Sequence, residues 1–494
     1  MHYKGYSLLG LILALILQLQ LAACGGNGTN TSNPVSNNFQ VVVFTDVHFD
    51  PFYDQTLFPK LVNADVSQWA NIFQTSKITA PSVWGTDTNY PLLVLALSSI
   101  KQNLGASPLI IYTGDILGHN LMQTFYELHD PQNAQNPTAA DIAAMRAFLD
   151  KTVAFFMQQV RSSIGNIPVM FALGNADSYE GLGPESTFLV NNAELFYTQF
   201  LNGAVDHQTF LNTFEGGGYY SAEPAGTNLM VIGLNTFECS PPNPYLGDTS
   251  SAVTTQLDWL DSTLASAQAR GKKVWLLMHV PPGANITATA DAADSNGHIT
   301  TATTTMMWDQ TYQASFMHIL SKYPGLITQT LAAHTHMDEF RIMAPNSVLD
   351  ITPGITPYFG NNPAFKVFTF SSDTLTAIDY TSLNYDLAAN PGQFNGYYTF
   401  STSYSMQVPL SYYPFSTSYF MQNTLNNYLA QLYPVLVTNN AEQALYRTHY
   451  FSGHNYSIPD TNTINPITDT TWPVFWCGIE NMDEQGFMDC VNSY

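Results

Sequence analysis

Five places in the chain set a metal-liking side chain directly behind a short apolar run: Asp46-Val47-His48, Gly114-Asp115, Gly174-Asn175, His279 and His334-Thr335-His336. Carboxylate, amide and imidazole donors without thiolates suit a divalent cation such as zinc, with iron or manganese as alternatives. Each has an ordinary explanation when taken singly. An Asp after a strand commonly caps the next helix, and a solitary His is more often a hydrogen-bonded core residue than a ligand. Five donor-terminated segments carrying seven such residues go beyond what caps and core histidines explain. The chemistry they point to is metal-assisted.

The runs that must position these residues are "QVVVFTD", "PLIIYTGD", "PVMFALGN", "LMVIGLN", "KVWLLMH" and "LITQTLAAHTH". They are apolar on both faces, the pattern of a strand buried within a layered sheet. Helical stretches lie between them. Ile142, Met145, Leu149, Val153, Phe156 and Val160 recur at three and four residues behind a Thr138/Asp141 start signal. Leu257, Leu260 and Leu264 do the same ahead of Gly271, a residue fit to stop a helix. Alternating strands and helices predict a layered α/β domain. In such a sheet the strand ends of one edge converge where ligands bind.

A chain of 494 residues exceeds one small core and predicts a large domain plus a subdomain. Only 14 Lys and Arg face 37 Asp and Glu, a formal net charge of -23. That surface repels nucleic acid and anionic membranes, so neither is expected as a partner. An anionic substrate would have to be attracted locally, for example by bound cations.

Near the N-terminus, Lys4 precedes the apolar run "SLLGLILALILQLQLAAC", which reads as a signal peptide. Its end, Leu21-Ala22-Ala23-Cys24-Gly25, resembles a bacterial lipobox, in which the cysteine is acylated. The expectation is an exported chain, lipid-anchored at the cell envelope or secreted. Gly25 to Asn38 is a polar tether. Sequons at Asn27, Asn30, Asn285 and Asn455 would matter only in a eukaryotic secretory host. Few cysteines in an exported chain suggest one disulfide, with Cys477 and Cys490 the expected pair and Cys239 a free, buried thiol.

The donor blocks resemble the D-x-H, GD, GN, H and GHxH motifs of calcineurin-like metallophosphoesterases. A finer resemblance is to the acid sphingomyelinase-like phosphodiesterases. "TGDILGHN" is similar to their GD-x-x-x-H block, "MHVPPG" to H-x-P-P-G and "HTHMDEF" to GHTH-x-D-x-F. "NNPAFKVFTF" and "LTAIDYTSLNYDL" resemble the segment that follows. The likeness runs from Phe39 to Leu387, and beyond it only the aromatic character and the terminal cysteine pair are similar.

This resemblance implies a fold and a site. The fold is a β-sandwich core flanked by helices over 39–387, with a helical, aromatic-rich subdomain over 388–494, behind the signal peptide (1–24) and the linker (25–38). The site holds two divalent ions about 3.5–4 Å apart, zinc in the first instance. Asp46, His48, Asp115 and His336 would hold one ion, and Asp115, Asn175, His279 and His334 the other, with Asp115 as the bridge. His119, four residues beyond Asp115, would face the phosphate or the leaving group. The implied activity is hydrolysis of phosphodiester or phosphoanhydride bonds in small soluble substrates such as nucleotides. One alternative is a sphingomyelinase proper, which would carry a saposin-like module where this chain has the Gly25–Asn38 tether. The other is a non-enzymatic binder of metal and phosphate.

That second alternative rests on one departure. The family commonly places His, sometimes Asn, after the metal-binding Asn; here the residue is Ala176. A histidine there would help protonate the leaving oxygen, oriented by the following acid, Asp177. Losing one general acid typically costs about 10²–10⁴ in rate. The ligands are unaffected, so the chemistry would lean on His119 and the metals, and good leaving groups such as pyrophosphate would suffer least. Ala333, where the family has Gly, matters only if the backbone there needs a positive φ. Weaker expectations concern the surroundings. The segment from Ala284 to Met307 reads as a mobile flap with His298 solvated within it. Trp84 and Asp87 of "PSVWGTDTNYP" would line the pocket. The Tyr and Phe clusters from Tyr397 to Phe420 read as packing, and His454 has no assigned role.

Overall fold

Trp275 of one sheet packs against Phe370 of another with ring centroids 4.1 Å apart, and this contact lies on the seam of a two-sheet sandwich. The computed structural model describes residues 38–494 apart from 202, 242–248, 345–346, 405–423 and 455–464. Its strands are β1 (Asn38–Phe44), β2 (Ile110–Tyr112), β3 (Val169–Phe171), β4 (Tyr220–Ala222), β5 (Leu229–Gly233) and β6 (Lys273–Leu277). The remainder are β7 (Ile327–Ala332), β8 (Glu339–Ala344), β9 (Ser347–Ile351), β10 (Ala364–Ser371), β11 (Ala377–Asn384) and β12 (Asn395–Thr399). One sheet runs β12-β11-β10-β1-β2-β3 and the other β4-β5-β6-β7-β9-β8. The six apolar runs of the sequence form β1, β2, β3, β5, β6 and β7.

Both faces of these strands are buried, which is why they lack alternation. In β6, Trp275 and Leu277 join the core between the sheets. Val274 and Leu276 point the other way, into a second core beneath the helices Ser250–Ala269 and Gln310–Ser321. On the first sheet lies the helix Ala139–Ile164, which starts in a capping box of Thr138 and Asp141 and buries Met145, Leu149, Val153, Phe156 and Val160. The helix Ser250–Ala269 stops two residues short of Gly271, whose φ of 65° no helix can continue.

Residues Asn38–Tyr494 pack as one compact unit. β12 lies past residue 387 yet forms the edge of the first sheet. The helices Leu425–Thr438, Asn440–Tyr450, Trp472–Glu480 and Glu484–Asn492 follow. A disulfide joins Cys477 to Cys490, linking the last two, and Cys239 is free and buried.

The segment from Ala284 to Met307 corrects the expectation of a mobile flap. It contains the helix Ile286–Ala292 and closes on itself through Asn285 N–H donating to the Thr305 carbonyl at 2.7 Å. Ile299 is buried, and its backbone exchanges two hydrogen bonds of 2.9 Å with the Asn492 side chain. Thr/Ala composition therefore marks a strap clamped by the C-terminal helix. His298 has a half-exposed ring beside Asp294, as a solvated loop residue should.

The signal peptide, Cys24, the tether up to residue 37, Asn27, Asn30, Asn455 and the aromatic run beyond 404 fall outside the described residues. Among the described residues, no helix is long and apolar enough to cross a membrane.

Candidate metal centre

The donors converge from two sheets, where the sequence suggests the edge of one. β1, β2 and β3 are parallel neighbours, as are β5, β6 and β7. The first set delivers Asp46, His48, Asp115 and Asn175 just past its C-terminal ends, and β6 and β7 deliver His279, His334 and His336. Backbone bonds stitch these ends together: Asp46 N–H to Gly114 O at 3.0 Å, His48 N–H to Asp115 O at 2.9 Å, and Ala333 N–H to His279 O at 3.0 Å.

The loops are held in uncommon conformations. Nine described non-glycine residues have positive φ, and five of them are Asp46 (45°), His48 (43°), Asp115 (64°), His334 (76°) and His336 (64°). Such geometry costs about 1–3 kcal/mol per residue and persists where function requires it. Ala333 is not among them, so its departure from glycine brings no strain. Gly174 is needed for space, because a Cβ there would collide with Asp115 Oδ1.

Asp115 sits at the middle. Its Oδ2 lies 3.2 Å from His48 Nε2 and 3.0 Å from His279 Nε2, while Oδ1 accepts the Ala176 N–H at 2.7 Å. On one side, Asp46 Oδ1 lies 3.4 Å from His336 Nε2. On the other, Asn175 Oδ1 lies 3.2 Å from His279 Nε2 and 2.8 Å from His334 Nδ1. Ligand atoms of Asp46, His48 and Asp115 fall within 4.8 Å of one another, and so do those of Asp115, His279 and His334. His48 Nδ1 and His279 Nδ1 pair with the Leu117 and Thr113 carbonyls at 3.0 and 2.7 Å, which turns both Nε2 atoms into the site.

These residues fit a pair of divalent cations. Asp46 Oδ1, His48 Nε2 and His336 Nδ1 are buried without a hydrogen-bond partner. Orphaned polar atoms are costly in a protein interior, and a cation is a sufficient partner for them. The cation-free electrostatics are correspondingly uneven. Burial works to lower His48 and His279, but the Asp115 carboxylate overrides it and carries both up to about 9. Burial, aided by the charge of His279, takes His334 down to about 3.

His119 stands beside this cluster, its ring stacked between His48 and Tyr358 at 4.1 Å from each. Asp87 grips it twice, accepting the backbone N–H at 2.6 Å and pairing with Nδ1 at 2.8 Å. Asp87 is thus a partner of His119 and not simply a pocket wall. Asp177 departs from its expected part. Its carboxylate accepts the N–H groups of Asp115, Ile116 and Gly174 at 3.0, 2.8 and 2.9 Å, so both oxygens help to hold the two loops together. Burial, with the Asp115 charge, pushes this carboxyl up to about 6. Trp84 stacks on His454 with centroids 4.0 Å apart, giving that histidine a place in the structure.

Several residues of the surroundings carry no local sequence signal. Tyr358 and Phe359 pack on His119 and His336 from the stretch between β9 and β10. Lys366 is fully buried beneath the His336 loop, its Nζ 2.7 Å from Asp338 and 2.9 Å from Asp350. A lysine inside "NNPAFKVFTF" could be read as central only once the opposing carboxylates were known.

The family model for calcineurin-like phosphoesterases matches residues 39–338, more than half of the chain. Sphingomyelin phosphodiesterase B of Dictyostelium discoideum is 25% identical over 76% of this chain, which spans 54% of that relative's length. The cyclic GMP-AMP phosphodiesterase SMPDL3A of Rattus norvegicus is 24% identical over 91% of both chains. Among solved structures, a dimetal phosphatase from Danio rerio matches with a TM-score of 0.38 and 13% identity over 70% of this chain and 95% of its own.

Proposed function

The chain belongs to the calcineurin-like phosphoesterase family, and from that premise we propose that it is a binuclear metal-dependent phosphodiesterase acting on small soluble phosphate esters or anhydrides such as nucleotides. The observation that carries this reading is Asp115, a single buried carboxylate flanked by two sets of nitrogen and oxygen donors. Asp46, His48, Asp115 and His336 would hold one ion and Asp115, Asn175, His279 and His334 the other, zinc being suited to such donors. When bound, the pair supplies Lewis-acid stabilisation of phosphoryl charge and acidifies water. The chain's own residues do the remainder. The Asp177 staple keeps the Asp115 and Gly174 loops in register. Asp87 fixes the ring of His119 so that Nε2 is left to give a proton to the leaving oxygen. Residues 388–494 would serve as an aromatic-rich C-terminal elaboration, and Cys24 as the point of lipid anchorage.

Two considerations favour soluble substrates over membrane lipid. The net charge of -23 opposes approach to an anionic bilayer, although screening limits this to about 8 Å at physiological salt. The relative matched over nine-tenths of both chains is named for cyclic GMP-AMP, whereas the sphingomyelinase match spans about half of its partner. Sphingomyelin hydrolysis stays as the second reading because that relative is named for it. With added zinc and matched concentrations at mildly acidic and neutral pH, nucleotide substrates should show a higher kcat/KM than sphingomyelin in micelles. Faster release of phosphocholine than of any nucleotide product would reverse the ranking.

A further inference from the structure

A cavity of about 190 Å3 opens directly off the metal centre, and Ala176 lines it together with Asn175 and His119. The remaining wall is mainly apolar, with Leu117, Leu121, Leu149, Met122 and Tyr179 on it, and Asn120, Gln123 and Ser178 add uncharged polar groups. Among the described residues, no Lys or Arg lines it, and the one carboxylate, Glu180, is exposed at the rim. A neighbouring cavity of about 410 Å3 has Met122, Gln123 and Glu180 in common with it. Arg146, on the wall of that neighbouring cavity, lies 5.2 Å over the Tyr179 ring. It faces the charges of Asp150 and Glu185, which offset its own.

From this we infer that the cavity beside Ala176 is the leaving-group subsite, and that it takes an uncharged organic group in preference to an anionic one. The inference rests on the phosphoesterase reading and narrows it from phosphate esters and anhydrides to diesters of uncharged alcohols. An apolar wall with a carboxylate at its rim penalises a departing pyrophosphate, whose charges find no cation there. It suits an aryl or nucleoside group, which buries its faces against Leu and Met while its departing oxygen takes a proton from His119 as the P–O bond breaks. Whole-ligand pockets run to about 300–1,000 Å3, so a cavity of about 190 Å3 receives one portion of a substrate. A larger side chain at 176 would take up part of that volume, which ties the missing histidine to the breadth of the subsite.

The test compares bis(4-nitrophenyl) phosphate, whose leaving group is uncharged, with ATP, whose leaving group is pyrophosphate, on the zinc-loaded full chain. The unaltered protein should favour the diester in kcat/KM. Met122→Trp fills the cavity from the helix Leu121–His129 and should raise KM for the diester by about tenfold, the scale of one lost apolar contact set, and by less for ATP, whose pyrophosphate gains little from that wall. Glu180→Lys, at an exposed position that leaves the core alone, should shift the preference toward ATP. If ATP is preferred from the start, or if both variants leave the two substrates unchanged, the subsite assignment fails while the phosphoesterase reading stands. Absence of turnover on either substrate by the zinc-loaded chain overturns that reading and the subsite with it.

Discussion

Asp115→Asn should lower kcat/KM by well over 100-fold and reduce bound metal at both positions at once. Asp115 Oδ2 is the atom that approaches His48 on one side and His279 on the other, at 3.2 and 3.0 Å. An amide is isosteric and can still accept the Ala176 N–H through its oxygen, so the loop should keep its conformation. What disappears is the negative charge that two cations would share. Removing groups that merely orient ligands costs about 10–100-fold in metal affinity or activity, so removing a shared ligand should exceed that range. Metal content and kcat/KM measured on the same preparation check it. Full metal content with normal kcat/KM would show that Asp115 is not a bridge.

Ala176→His should raise kcat, and raise it more for diesters with poor leaving groups such as phenol or an alcohol. A general acid contributes about 10²–10⁴ in rate, and the structure argues for the lower end. Asp177, the residue placed to orient an imidazole at 176, already accepts three backbone N–H groups, two on Oδ2 and one on Oδ1. A histidine introduced there would share its orienting partner with the backbone. It would also occupy part of the cavity, so KM for bulky leaving groups should rise as kcat rises. His119→Ala should then lower the activity that Ala176 leaves behind. Parallel kinetics on phenyl and 4-nitrophenyl diesters separate these effects. An Ala176→His chain that is no faster on any substrate would mean that this protein does not use the position for proton transfer.

Much of the architecture was legible because burial on both faces writes itself into a strand as an unbroken apolar run. β1, β2, β3, β5, β6 and β7 all announced themselves in this way. The Thr138/Asp141 start signal was equally local and is present as a capping box. Shorter or edge strands such as β4, β8 and β12 carry mixed polarity and gave no such signal. The sequence also could not say that the donors come from two sheets, since each run looks the same whichever sheet receives it. Within the site, donor types and their position behind strands were readable, and the structure brings all seven together. The surrounding support was not. Asp87 and His119 are 32 residues apart, and Lys366 and Asp338 approach from different sheets, so only the fold reveals those pairings. The strap from Ala284 to Met307 misled for the same reason, because its anchor, Asn492, lies 193 residues away from Ile299.

The binuclear centre is tested most directly by the metal content of the chain. Protein purified without chelator, supplied with zinc and freed of excess by dialysis, should carry two equivalents of divalent metal per chain by elemental analysis, and Asp115→Asn should carry markedly less. No bound metal in the unaltered chain, or a single equivalent that Asp115→Asn leaves in place, would contradict it.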